Sequence, residues 1–141
     1  MSSNIDMSIA TTGNESKQHT NAKRRLYNIV EEMGMVADFE ISTGTTKTEI
    51  GERNYTVDLF AFWVDTRAGV THKIAFEVEG YKGHNSNRQH ARDNNRDKGH
   101  LEKAIYTVRI QMKDLVGKNK LDDTTHKHEI IWQLVNQGLN I

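Results

Sequence analysis

The stretch THKIAFEVEGYKGH, Thr71 to His84, starts as a strand and ends in acids. Ile74, Phe76 and Val78 alternate with Ala75, Glu77 and Glu79, after which come Gly80, Gly83 and His84. Alternation puts Glu77 and Glu79 on one face, about 6.5–7 Å apart, where carboxylates repel each other and resist desolvation. A third acid, Asp58, interrupts the apolar run TVDLFAFW. If the strands carrying Asp58 and Glu77 are neighbours, the three carboxylates converge, and a divalent cation would neutralise them. A small number of hard oxygen ligands, completed by water, suits Mg²⁺ or Mn²⁺. Such an ion lowers the pKa of bound water and stabilises charge developing on a phosphate. Taken singly, each acid also has a plainer role. Asp58 can cap a turn or pair with Arg53, and Glu77 and Glu79 can face solvent beside Lys73 and Lys82.

The elements that must hold these residues follow from periodicity. Residues 1–20 are rich in Ser, Thr and Asn without a repeat, and read as a disordered tail. A single domain is expected over 21–141. Leu26, Ile29, Val30 and Met33 form one helical stripe, with Thr20 or Asn21 as cap and Gly34 as stop. MVADFEIST is a first strand, GTTKTEIGERN a polar loop or hairpin, YTVDLFAFWV a second strand, and DTRAG a turn into the third. HNSNRQHARDNNRDKGHLEKA is a polar helix, AIYTVRIQM a fourth strand, and DLVGKNKLDD a loop or short helix. The chain closes with an amphipathic helix that turns Ile130, Ile131, Leu134 and Val135 inward. The expected class is α/β: a mixed central sheet of about four strands flanked by helices, its last strand reached by a crossover.

Composition narrows the classes. The 141 residues include no cysteine and no proline, and 19 basic residues balance 19 acidic ones. Disulfides and thiolate zinc sites are excluded, no membrane span or signal peptide is visible, and an intracellular, cytoplasmic setting is expected. Charge is nevertheless uneven. Lys82, Arg88, Arg92, Arg96, Lys98 and Lys103 are answered locally only by Asp93, Asp97 and Glu102. Arg88, Arg92 and Arg96 recur every fourth residue, which stacks them on one helix face. That ridge is either an exposed face braced by Asp93 and Asp97, or a grip for phosphates that positions a duplex without reading bases. His126 and His128 read as surface residues, and Trp63 and Trp132 as core or interface.

VDLF, a turn, IAFEVEG, then EVEGYKGH and RDNNRDKGHLEKAIYTVRI together resemble the PD-(D/E)XK nuclease superfamily, the restriction-endonuclease-like fold, in its Vsr-like branch. The similarity covers roughly residues 21–111. It implies a metal-dependent DNA endonuclease in which Asp58 and Glu77 hold Mg²⁺ or Mn²⁺ with the Val78 carbonyl. Glu79 then stands where the superfamily has lysine. Lys82 or Lys73 would supply the missing charge, or Glu79 would bind a second ion. The resemblance further implies a glutamate from the first helix, Glu32 in preference to Glu31. His84 would contact phosphate or protonate the leaving oxygen, unless it is a loop histidine without a task. Arg88, Arg92, Arg96 and Lys98 would lie along DNA, with Arg109 on the fourth strand supporting the site. Small domains of this kind resemble junction resolvases, nicking repair enzymes or phage nucleases. A homodimer through Trp132 and the last helix would let two strands be cut. The alternative is an inactive module of the same fold that binds DNA or a protein partner.

Overall fold

Helix α1 (Lys17–Glu32) begins earlier than its apolar stripe. In the computed structural model, which describes residues 16–48, 51–80 and 87–140, Ser16 is the N-cap and its Oγ accepts from His19 N at 3.1 Å. The cap therefore moves from the expected Thr20 or Asn21 to Ser16, and Lys17–Thr20 belong to the helix. The first turns bury His19, Thr20 and Lys23 together with Ala22. A buried face this polar is invisible to hydrophobic periodicity. The other end is as expected. Gly34 takes φ 93°, Gly34 N donates to Glu31 O at 3.0 Å and Met35 N to Val30 O at 3.1 Å. This paired C-terminal motif needs the left-handed conformation at Gly34 and drops Met35 into the core.

Strands β1 (Val36–Thr48) and β2 (Gly51–Asp65) run antiparallel through the segment left open between loop and hairpin, which settles it as a hairpin. Asp65 closes the next turn, its Oδ1 accepting from Arg67 N and Ala68 N, and β3 (Val70–Glu79) returns antiparallel to β2. Helix α2 (Asn87–Glu102) crosses over, so β4 (Ile105–Gln111) runs parallel to β3. The sheet order is β1-β2-β3-β4, and the short α3 (Met112–Val116) and α4 (Asp123–Asn136) complete an α/β fold with a mixed four-stranded sheet. No helix of the described residues is long and apolar enough to cross a membrane.

The two sheet faces carry separate cores. Leu59, Ala61, Ile74, Phe76, Val78, Val108 and Ile110 pack beneath α1, α3 and α4 with Leu26, Val30, Leu115, Ile130 and Leu134. Each of these side chains larger than alanine contributes about 1.5–3 kcal/mol by leaving water. On the opposite face Tyr55, Val57, Phe60, Ala75 and Ile105 form a smaller cluster. Polar contacts tie α2 to that side: Thr43 Oγ1 lies 2.9 Å from His100 Nε2, and His100 Nδ1 lies 2.7 Å from Thr107 Oγ1.

Helix α4 departs from its expected orientation. Ile130 and Leu134 are buried, but Ile131 is half-buried and Val135 exposed. The cause is the open edge of β4. Gln133 accepts from Arg109 N at 3.0 Å and donates to Arg109 O at 2.9 Å; Gln137 does the same to Thr107 at 3.0 and 2.6 Å. Two amides four residues apart thus replace a fifth strand and turn the helix toward the edge. His126 is buried, against the expectation of a surface residue, with Nε2 2.8 Å from Asp114 O. Trp63 packs partly against the core, and Trp132 is exposed.

Candidate functional site

The acids occupy one cross-strand row. The β1–β2 register passes from Phe39↔Leu59 to Ile41↔Val57, which leaves Glu40 facing Asp58, and the β3–β4 register pairs Glu77 with Arg109. Regular alternation fails in that row. Phe39 and Leu59 belong to the α1-side core, whereas Val57, with Ile41 packed beside it, belongs to the α2-side cluster. Residues two apart on a strand normally share a face. Glu40, with φ 54°, is the point where β1 changes face, and Asp58 is its counterpart on β2. A non-glycine residue in the left-handed region inside a strand is strained, and such strain gathers at functional sites.

The distortion decides where Asp58 goes, while Glu77 takes its side from the regular alternation of β3. The β2–β3 register extends from Asp65↔Val70 to Leu59↔Phe76. Beyond it, side chains join the strands. Asp58 N donates to Glu77 Oε1 at 2.9 Å, and Val78 N donates to Asp58 Oδ2 at 2.8 Å. Tyr55 OH donates to Glu77 Oε2 at 2.7 Å. Asp58 leans toward α1, where His19 Nε2 is 3.6 Å from its Oδ2 and 3.1 Å from Val78 O. Glu77 leans toward Tyr55 and the α2 side, where the Arg96 guanidinium lies 4.5 Å over the Tyr55 ring.

Burial pushes the Glu77 carboxyl up to about 7, and the Asp58 charge adds to the shift against the opposing bonds from Tyr55 and the Asp58 amide. Burial and the neighbouring Glu77 also raise the Tyr55 phenol above its usual value. A carboxylate this costly to ionise without a counter-ion is what a cation site provides before it is filled.

Glu79 does not join Asp58 and Glu77, which corrects the expected convergence of three acids. Its Oε1 takes Arg109 Nη1 at 2.9 Å, while Arg109 Nη2 binds Asp97 Oδ1 at 2.7 Å and Asp93 lies 3.6 Å from Nη1. Burial alone would lower the Arg109 pKa, but Asp97, Glu79 and Asp93 outweigh it and hold the guanidinium charged. Arg109 thereby fastens α2 to the ends of β3 and β4 and is turned to these acids. Among the described residues no three His, Cys, Asp or Glu side chains are gathered closely enough to hold a metal ion by themselves. Two carboxylates and the Val78 carbonyl still offer the hard oxygen donors a divalent cation takes, so the donor chemistry fits one.

Glu32 is not at the site. It pairs with Lys127 of α4 at 2.8 Å, with its side chain 56% exposed, and with Glu31 it lines a cleft of about 500 Å³ beside Arg25 and Asp123. It lies 13 residues beyond His19 on α1, about 20 Å along a helix. The apolar stripe fixes the helical phase of Glu32, but the end of α1 that meets the acids is its N-terminus. Lys73 stands four residues before Glu77, about 13 Å back along β3, too far to serve the acid pair. Lys82 and His84 lie outside the described residues. Arg88 falls in the first turn of α2, Arg92 and Lys98 are exposed, and Arg96 is half-buried on Tyr55.

Three residues at the row escaped sequence reasoning: His19, Lys23 and Glu40. Lys23 is completely buried and ion-paired with Glu40. The signal was present. Lys23 precedes Leu26, Tyr27 and Val30 by three, four and seven positions, the centre of the buried stripe, and His19 is one turn earlier. A basic residue at the middle of an apolar face announces a buried partner. No family model, curated protein or solved structure matches the chain.

Proposed function

We propose that the chain is a metal-dependent DNA endonuclease of the PD-(D/E)XK type, hydrolysing phosphodiester bonds at Asp58 and Glu77. One observation carries the reading. Where β2 and β3 stop pairing, the Asp58 and Glu77 carboxylates replace the ladder, each accepting a backbone amide from the opposite strand. Burial and the Asp58 charge make Glu77 costly to ionise, and a divalent cation held by Asp58, Glu77 and the Val78 carbonyl would remove the cost. When bound, Mg²⁺ or Mn²⁺ supplies Lewis-acid stabilisation of the phosphate and acidifies water.

The chain's own residues do the positioning. Water attacks phosphorus in line, and the bond to the leaving oxygen breaks. Tyr55 and the Asp58 amide fix the orientation of Glu77. Glu79 anchors Arg109, which sets α2 against the strand ends and so aims the exposed Arg92 and Lys98 at a phosphate backbone. No separate sequence-reading module is apparent among the described residues, which favours structure-specific or weakly specific cutting in an intracellular setting. A homodimer would use the outward Trp132 of α4. One observation favours the inactive DNA- or protein-binding module instead: Glu79 occupies the lysine position and is spent on Arg109.

Cleavage of labelled duplex, nicked, mismatched, flapped and four-way DNA with Mg²⁺, Mn²⁺ or EDTA separates the two. Cutting should need metal and vanish in Asp58→Asn and Glu77→Gln. Cutting that survives both substitutions removes the assignment, and salt-sensitive binding without cutting under any metal establishes the inactive module.

A further inference from the structure

Resting on the metal reading above, we propose that His19 Nε2 is a ligand of the same ion, and that the site therefore selects a nitrogen-accepting transition ion over Mg²⁺. His19 Nε2, Val78 O and Asp58 Oδ2 form a three-cornered bay, with Nε2 3.1 Å from the carbonyl and 3.6 Å from the carboxylate oxygen. Donors held about 2.1 Å from one ion stand about 3.0 Å apart at right angles and about 3.4 Å apart in a tetrahedral shell. The two spacings, 3.1 and 3.6 Å, lie close enough to these for a small movement of the ring to bring the atoms onto one ion. Only two of the corners are side chains of metal-binding type, and the third is a backbone carbonyl.

The ring is held there before any ion arrives. His19 is 7% exposed, on the first turn of α1, and its backbone N–H is fixed by the Ser16 cap. A carbonyl oxygen can only accept, so Nε2 carries the proton in this state and donates it to Val78 O. Ligation needs the Nε2 lone pair, so the proton must move to Nδ1 or leave to solvent as the ion enters. The N–H thus stands in for the cation at the same oxygen. An imidazole nitrogen in the donor set shifts preference away from Mg²⁺, which favours oxygen, toward Co²⁺ and its neighbours in the first-row series.

The test is calorimetric titration of the full chain with Mg²⁺, Mn²⁺ and Co²⁺, for the wild type, His19→Ala and Asp58→Asn. Wild type should bind Co²⁺ at least about tenfold tighter than Mg²⁺. His19→Ala should lose about tenfold or more of its Co²⁺ affinity while Mg²⁺ binding changes less than about threefold, and Asp58→Asn should lose every ion. Pulsed electron paramagnetic resonance of the Mn²⁺-loaded wild type should show coupling to a directly bound nitrogen, which decides the matter even if His19→Ala fails to fold. Ion uptake without nitrogen coupling, or with an unchanged Co²⁺/Mg²⁺ ratio in His19→Ala, overturns the ligand role and leaves the metal reading standing. No uptake of any ion by the wild type overturns both.

Discussion

Replacing Glu77 with glutamine should stabilise the protein, and by an amount set by pH. The folded-state carboxyl titrates near 7 against an ordinary value of 4.5, because it is buried beside Asp58. Below pH 4.5 folded and unfolded chains both carry the proton, and Glu77 costs nothing. As pH rises toward 7, the unfolded chain releases its proton while the folded chain keeps it, and stability falls. At about 1.36 kcal/mol per pH unit the loss approaches a ceiling of about 3 kcal/mol above pH 7. Glutamine imitates the protonated form. Its carbonyl can accept from Asp58 N, and its NH₂ can donate to the Tyr55 oxygen, the two partners Glu77 has now. Urea unfolding in EDTA at pH 4.5, 6 and 8 should give equal midpoints at the lowest pH and a gain of about 1–3 kcal/mol for Glu77→Gln at the highest. Divalent ion at a hundredfold excess over its Kd should return about 2.7 kcal/mol to the wild type and little to the variant. A variant no more stable than wild type at pH 8, or equally more stable at pH 4.5, would refute the reasoning.

Arg109→Met leaves Glu79, Asp93 and Asp97 facing one another, and should cost about 3 kcal/mol at pH 7 and markedly less at pH 4, read by urea unfolding at both. Burial between Thr43 and Thr107 lowers the His100 pKa, so below pH 6.5 the unfolded chain takes up the proton first and stability falls with pH. His100→Asn should flatten that slope between pH 6.5 and 5 in thermal melts, and an unchanged slope would assign it elsewhere. Gln133→Leu with Gln137→Leu strips the β4 edge of four hydrogen bonds. It should cost about 1–3 kcal/mol per unsatisfied group and produce concentration-dependent association in light scattering, whereas a monomer of unchanged stability would show that the edge needs no cover.

Most of the fold was legible because its elements obey short-range periods. Ile74, Phe76 and Val78 alternate, Leu26, Ile29 and Val30 recur every third or fourth residue, and Gly34 marks a stop, so the four strands and the crossover follow from the chain alone. The departures from simple periodicity share a cause. The start of α1 buries polar groups, and α4 rotates to cap a strand edge with Gln133 and Gln137 instead of maximising apolar burial. Neither effect leaves a hydrophobic trace.

Residue type and spacing were sufficient to mark Asp58, Glu77 and Glu79 as the chemically costly positions, because carboxylates inside an apolar strand are conspicuous in any arrangement. Their true company was set by long-range geometry. The left-handed Glu40 makes β1 and β2 change face together, which turns Asp58 toward α1 and brings Tyr55 to the side that Glu77 already faces by the regular alternation of β3. Arg109, 30 residues downstream of Glu79, claims that third acid, while His19, 59 residues upstream of Val78, reaches its carbonyl. Periodicity describes how a residue relates to its near neighbours. Which side chain meets a given carboxylate depends on where the folded sheet brings chain segments tens of residues apart together.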